Sequence, residues 1–191
     1  MRLRSLLAGI SILVFLGIPP RAVASNGPAK AAAAPDTGTR VEVEPGVRET
    51  VLGNGLKVLT KEVHAGPVVT VWTWYKVGSR NERPGATGIS HLVEHMMFRA
   101  TTSLKTGDID HLVQRAGGRH NAFTSFDHTA YHITLPSVHL ETALRIEAER
   151  MLNCLLDPQE LAREKGVVLS ELQGRLNNPE ELLEDVTRSV T

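Results

Sequence analysis

The run Val68-Val-Thr-Val-Trp-Thr-Trp-Tyr-Lys-Val77 is β-branched or aromatic along almost its whole length. Such residues favour an extended, pleated backbone whose surface is covered by neighbours, so the run predicts a strand inside a sheet and not at its edge. An interior strand needs partners on both sides. On the N-terminal side, Val47 to Leu52 and Leu56 to Glu62 flank Gly53-Asn-Gly55 and predict a hairpin, the glycines supplying the positive φ of a tight turn. On the C-terminal side, Arg119 to Thr124 and His128 to Leu135 predict two more strands, joined by Ser125-Phe-Asp127 and closed by Pro136.

Helices are expected in the intervals. One covers residues 88 to 98, after the loop Gly78-Ser-Arg-Asn-Glu-Arg-Pro-Gly-Ala-Thr-Gly88, with Thr87 as its N-cap. A shorter one, Thr106 to Ala116, stops at Gly117-Gly118. Ser137 is expected to cap a helix from Val138 to Leu155, whose Leu140, Leu144, Ala148 and Leu152 recur every four residues. Pro158 opens another in its first turn, which runs past Glu164 and Glu171 to Leu176 before Asn177-Asn178-Pro179 breaks it, and a further helix starts at Glu180. Three strands, two helices, two strands and then helices predict an α+β fold, with one mixed, largely antiparallel sheet covered by helices.

Composition removes several classes of function. Twenty-one Lys and Arg balance twenty-one Asp and Glu, so there is no electrostatic case for binding nucleic acid. No glycine-rich phosphate loop, no Ser/His/Asp arrangement and no repeat of a solenoid's period is present. Cys154 is the only cysteine, which forbids an intrachain disulfide, and its apolar surroundings Met151-Leu-Asn-Cys-Leu-Leu156 predict a core thiol.

The N-terminus has the form of an export signal. Arg2 and Arg4 precede an apolar stretch from Leu6 to Ile18, and Ala22-Val-Ala24 offers small residues for cleavage before Ser25. Residues 1–24 are therefore expected to be a signal peptide, and the mature protein to be periplasmic or secreted with no membrane span. Residues 25–45, rich in Ala, Pro and Gly, are expected to form a flexible leader. Residues 46–191 are expected to be one domain that is cut short at its C-terminal end.

Chemistry concentrates in His91, Glu94 and His95. On a helix, at about 100° per residue, His95 falls about 40° from His91 and Glu94 about 60° to its other side, so one face carries all three. Two imidazoles and a carboxylate suit Zn²⁺, and a catalytic zinc needs only three protein ligands because its fourth position takes water. Glu94 is then free to act as a base. Glu164 and Glu171 follow on the later helix, two turns apart; one can complete the ligand set while the other accepts from a histidine ring. The competing reading is an amphipathic helix with two surface histidines, against which stand Ile89, Leu92, Val93, Met96 and Met97 surrounding the polar face.

Four stretches in a fixed order carry a specific resemblance: Trp74-Tyr-Lys-Val-Gly-Ser-Arg-Asn-Glu82, Gly88-Ile-Ser-His-Leu-Val-Glu-His-Met-Met-Phe98, Gly118-Arg-His-Asn-Ala-Phe-Thr-Ser125 and Glu164-Lys-Gly-Val-Val-Leu-Ser-Glu171. From about Val47 onward the chain resembles the pitrilysin/insulinase family of zinc metallopeptidases. The resemblance implies that His91, His95 and Glu171 ligate one zinc per chain, that Glu94 activates water, and that Glu164 supports the site. It also implies that Asn121, Ala122 and Phe123 form an edge strand against which an extended peptide substrate pairs. Complete members carry a second homologous half that brings an Arg/Tyr pair to the substrate, so a second half or subunit is the expected partner. Ala100, where glycine commonly follows Phe-Arg, is a smaller departure. The implied function is that of a zinc endopeptidase, or its catalytic N-terminal half; the alternative is a non-catalytic assembly subunit, or an inactive fragment, of the same family.

Overall fold

The structure, a computed structural model, describes residues 9–16 and 40–189. In chain order the strands are β1 (Gly9–Leu16), β2 (Arg40–Glu44), β3 (Val47–Val51), β4 (Lys57–Val63), β5 (Val68–Tyr75), β6 (Arg119–Thr124) and β7 (Thr129–Pro136). The helices are α1 (Ile89–Met96), α2 (Asp108–Arg115), α3 (Leu140–Asn153), α4 (Pro158–Leu176) and α5 (Pro179–Ser189). The described strands form one sheet in the order β2-β3-β4-β1-β5-β7-β6. Every neighbouring pair is antiparallel except β1 and β5, so the fold is α+β with a mixed, largely antiparallel sheet.

The interior run identified first becomes β5, held between β1 and β7 with Trp72 opposite His132 and Trp74 opposite Ala130. The β3–β4 hairpin closes over Gly55 at φ 84°, where Gly55 N–H donates to the Leu52 carbonyl at 2.8 Å and the Asn54 side chain accepts from Leu56 N–H at 3.0 Å. β2 was absent from the expected strands. Its side chains are all exposed, so backbone pairing with β3 holds it and no buried stripe announces it; the strand starts at Arg40, ahead of Gly46, which sits in the β2–β3 turn at φ 76°. The apolar stretch read as the heart of an export signal contributes, over Gly9–Leu16, the strand that joins β4 to β5. The cleavage site Ala22-Val-Ala24 and most of the Ala/Pro/Gly leader lie outside the described residues.

The core lies between one face of the sheet and the helices α2 and α3. Val69 and Val71 of β5, Ile133 and Leu135 of β7, Ile109 and Val113 of α2, and Ala143 and Ile146 of α3 are at most 1 % exposed. Gly117 and Gly118, read together as a helix stop, serve two separate ends. Gly117 turns the chain at φ 72°, whereas a Cβ on Gly118 would lie 2.6 Å from the Thr134 carbonyl oxygen, so β6 can approach β7 only without one.

α3 corrects an expectation. A 3-10 turn, Ser137–His139, precedes it, so Ser137 is not its cap, and the row of leucines does not face inward: Leu144 is 40 % and Leu152 81 % exposed. The buried face is Ala143, Ile146, Glu147 and Arg150. An every-fourth row drifts about 40° per step around a helix and leaves the core within three steps. The charged pair is held inside by one direct contact, Arg150 Nη1 to Glu147 Oε1 at 2.6 Å, by the Arg150 Nε bond to the Met97 carbonyl, and by the Tyr131 and Phe98 rings against the guanidinium, while Glu147 Oε2 and Arg150 Nη2 have no hydrogen-bond partner among the described residues.

Candidate active site and metal centre

α1 lies against β6 on one side and α4 on the other. The turn before it sets where it starts. Gly88 is its N-cap, at φ 88°, and makes no side-chain cap, so the expected cap at Thr87 is not the one used. Glu82 does that work from outside the helix: its Oε2 accepts from Gly88 N–H and its Oε1 from Ser90 N–H, each at 2.8 Å. Burial pushes the Glu82 carboxyl up, but the Ser90 and Gly88 amides and the Ser90 hydroxyl outweigh it and hold the group below the ordinary glutamate range. A group with a lowered folded value stabilises the fold above its unfolded pKa and loses that contribution as pH falls through the folded value. Glu82→Gln is therefore expected to lower the urea midpoint at neutral pH, with the gap to wild type closing in acid. A gap that stays constant with pH would contradict this account of the helix start.

One turn into α1, His91 Nε2 and His95 Nε2 stand 3.2 Å apart. From the facing side of α4, Glu171 Oε2 lies 3.5 Å from each of them. Zinc bonds of about 2.0 to 2.1 Å in tetrahedral directions set neighbouring ligand atoms roughly 3.3 Å apart, so this triangle of two nitrogens and one oxygen has the size and chemistry of three corners of a zinc site. Among the described residues it is the grouping of His, Cys, Asp and Glu that could hold a metal ion.

Glu164, two turns before Glu171, is only 3 % exposed. Its Oε2 lies 3.1 Å from His95 Nδ1 and its Oε1 2.5 Å from Arg99 Nη2. A proton on His95 Nδ1 directed at that carboxylate leaves the Nε2 lone pair facing the triangle, while Arg99 holds the other carboxylate oxygen. Sequence reasoning missed Arg99, although its place one turn beyond His95 was a usable signal.

Glu94 sits between the histidines in the chain but turns from the triangle toward β6, where it is 7 % exposed and its Oε2 accepts from the Thr124 hydroxyl at 2.6 Å. Beneath α1, the Tyr131 hydroxyl reaches Met97 Sδ at 3.2 Å and Arg150 Nε donates to the Met97 carbonyl at 3.2 Å. Cys154 lies under the same helix with its thiol 3.7 Å from the Met96 carbonyl; burial pushes that thiol up, the reverse of an activated nucleophile.

β6 is a sheet edge, paired only with β7 among the described residues. Its pleat sends His120, Ala122 and Thr124 to the α1 side, while Phe123 turns to the opposite face and meets Trp74 at 5.8 Å between ring centres. Two clefts flank the metal triangle and share Ala122, Glu94, His91 and Glu171. One, of about 1000 Å³, extends toward Phe126, Leu172 and Arg175. The other, of about 540 Å³, extends past Asn121 toward Phe98 and the His120–Asp110 pair, whose Nε2 and Oδ1 are 2.8 Å apart. His128 and His132 lie four residues apart and set their rings at a tilt against Trp74 and Trp72, with ring centres 4.9 and 4.4 Å apart.

Comparison with known proteins gives a consistent picture. The model of the family described as Insulinase (Peptidase family M16) matches residues 57–191, from β4 to the last residue. "Zinc protease PqqE" of Helicobacter pylori is 40 % identical over 135 residues, covering 70 % of this chain and 30 % of that protein. "Uncharacterized zinc protease YmxG" of Bacillus subtilis is 32 % identical over 138 residues, covering 72 % of this chain and 34 % of that protein. The crystal structure of a protease from Helicobacter pylori superposes with a TM-score of 0.60 at 42 % identity, over 62 % of this chain and 29 % of that one. The chain thus spans about a third of the length of the relatives it matches.

Proposed function

The chain belongs to the insulinase family, peptidase family M16, and from that premise we propose that it is the zinc-binding, bond-cleaving part of a metalloendopeptidase acting on extended peptides. The observation that carries this reading is the triangle of His91 Nε2, His95 Nε2 and Glu171 Oε2, with sides of 3.2, 3.5 and 3.5 Å, beside the nearly buried carboxylate of Glu94. The names of the zinc protease relatives agree with it.

When bound, zinc polarises the scissile carbonyl and lowers the pKa of the attacking water. Glu94 accepts the proton of that water and passes it to the leaving amine, so one carboxylate serves as base and then as acid. Glu164 and Arg99 hold the His95 ring in place. The outer edge of β6, through the backbone of Asn121, Ala122 and Phe123, offers unpaired N–H and C=O groups to which a peptide in extended form adds as a further strand. Such pairing presents successive peptide bonds to the metal triangle without reading their side chains, which then fall into the two clefts. The whole site opens on one side, and a second homologous half or subunit is the partner that closes it over the peptide.

The test is metal analysis of the purified chain with a quenched-peptide assay, alone and with the downstream half of a relative supplied. One zinc per chain and cleavage are expected. Absence of zinc at neutral pH would overturn the reading; zinc bound with persistent inactivity in both assays would favour the assembly role.

Export accompanies this proposal. No helix among the described residues is long and apolar enough to cross a membrane. The chain recovered from the cell envelope or medium is expected to begin at Ser25 by mass spectrometry; recovery there of chains beginning only at Met1 would refute cleavage. Processing would remove β1 and part β4 from β5.

A further inference from the structure

We propose that Thr124 is a positioning residue that aims the base of this peptidase: its hydroxyl anchors one oxygen of Glu94 and so reserves the other for the attacking water. The proposal rests on the peptidase reading above for its effect on rate, and on geometry alone for the anchoring itself.

The direction of each proton can be worked out. Thr129 Oγ1 donates to the Val77 carbonyl at 2.9 Å, which uses its only hydrogen. The Thr124 hydroxyl, 3.2 Å from Thr129 Oγ1 and 2.6 Å from Glu94 Oε2, therefore has one hydrogen of its own and two possible acceptors. The nearer acceptor is a carboxylate, and hydrogen bonds to ionised groups are the shorter and stronger ones, so the hydrogen goes to Glu94. Thr129, tied to the chain leaving β5, acts as a backstop that leaves Thr124 no incoming donor from that side.

The consequence falls on Glu94. Among the described residues no protein group bonds its Oε1, while its Oε2 is held by Thr124. A glutamate side chain free to rotate would present either oxygen in several orientations. Anchored at one oxygen and 7 % exposed, this one has fewer orientations open to it and leaves Oε1 as the unbonded oxygen of a residue that lines the same cleft as His91 and Glu171. Thr124 is also the last residue of β6, the strand whose edge receives the peptide. The element that grips the substrate thus also holds the base, and pairing a peptide along β6 stiffens the anchor at the moment it is needed.

Thr124→Val has the shape of threonine and keeps a β-branched residue in the strand, but it cannot donate. In the zinc-loaded chain, assayed with the partner half if cleavage requires it, Thr124→Val is expected to lower kcat by about ten- to a hundredfold, with KM and zinc affinity close to wild type. Thr124→Ser, which restores the hydroxyl, is expected to recover most of the rate. The independent readout is the carbon-13 resonance of the Glu94 carboxylate in the metal-free chain, labelled at glutamate and assigned by its loss in Glu94→Gln. That resonance is expected to shift in Thr124→Val and to return in Thr124→Ser. A Thr124→Val chain with wild-type kcat, a serine variant as slow as the valine one, or a resonance that does not move would each overturn the proposal. If the valine variant does not fold, Thr124→Ala removes the same hydroxyl and is read by the same two measurements. A zinc-loaded wild type that cleaves nothing overturns the peptidase reading, and the resonance then decides the anchoring by itself.

Discussion

Glu94→Gln is expected to leave zinc bound and to reduce peptide cleavage by roughly a hundred- to ten-thousandfold, the span over which positioned acid–base groups act. The substitution is nearly isosteric, and the amide oxygen can still accept from Thr124, so the packing of α1 against β6 is kept. What is lost is the proton acceptor. Because Glu94 lies outside the triangle of His91, His95 and Glu171, the metal content is expected to stay at one per chain. Metal analysis and single-turnover cleavage on the same sample give both numbers. A glutamine variant that cleaves at the wild-type rate would remove Glu94 from the mechanism, and one that loses zinc would mean that it helps to hold the metal.

The second large effect is on stability. Arg150→Ala is expected to cost about 3–5 kcal/mol, because breaking a buried ion pair leaves its partner charged and unpaired. Arg150 is 1 % exposed; it pairs with Glu147, itself 3 % exposed, donates to the Met97 carbonyl, and lies 4.5 Å over the Tyr131 ring and 5.0 Å over that of Phe98. Removing it strands Glu147 and frees the last turn of the helix that carries both histidines. Domains are stable by only about 5–15 kcal/mol, so the loss is a large share. Urea unfolding measures it, and a cost near zero would show that the pair is not inside a packed core. The double variant Glu147→Leu with Arg150→Met removes both charges together and is expected to regain much of the loss, since apolar replacement of a buried pair is often neutral.

These two cases differ in how visible they were beforehand. Glu94 stands in a five-residue motif whose residue types and helical spacing state their chemistry. Arg150 and Glu147 carried no signal in the sequence, while the leucines of α3 looked like its buried side. The leucine reading failed at Leu144 and Leu152, because the inward face is taken by the Arg150–Glu147 contact, the Arg150 bond to the Met97 carbonyl and the Tyr131 and Phe98 rings against the guanidinium. The start of α1 shows the same limit. Local rules look for a cap at the residue just before a helix, at Thr87, whereas the cap comes from Glu82 across a loop whose own path is pinned by Ser79 N–H to the Ser125 carbonyl and Arg80 N–H to the Phe126 carbonyl. Strand β2 was missed because its side chains bury nothing, and Thr124 because a threonine at the end of a strand has no distinguishing pattern.

While the choice of Glu171 over Glu164 as third ligand came from the family resemblance, the residues of the sequence by themselves pointed to the strands β3 to β7, the helices between and after them, the class of sheet and the cluster His91, Glu94 and His95. Each of these depends on residues close together in the chain: side-chain bulk along a strand, four-residue spacing on a helix, glycine at a turn. Only the tertiary structure decided which oxygen meets which nitrogen. The 3.5 Å approach of Glu171 to both histidines, the clamp of Arg99 and Glu164 on His95, and the hold of Thr124 on Glu94 each join elements far apart in sequence. Their geometry is set by how α1, α4 and β6 pack, and packing depends on all the contacts of the core at once, which no local pattern encodes.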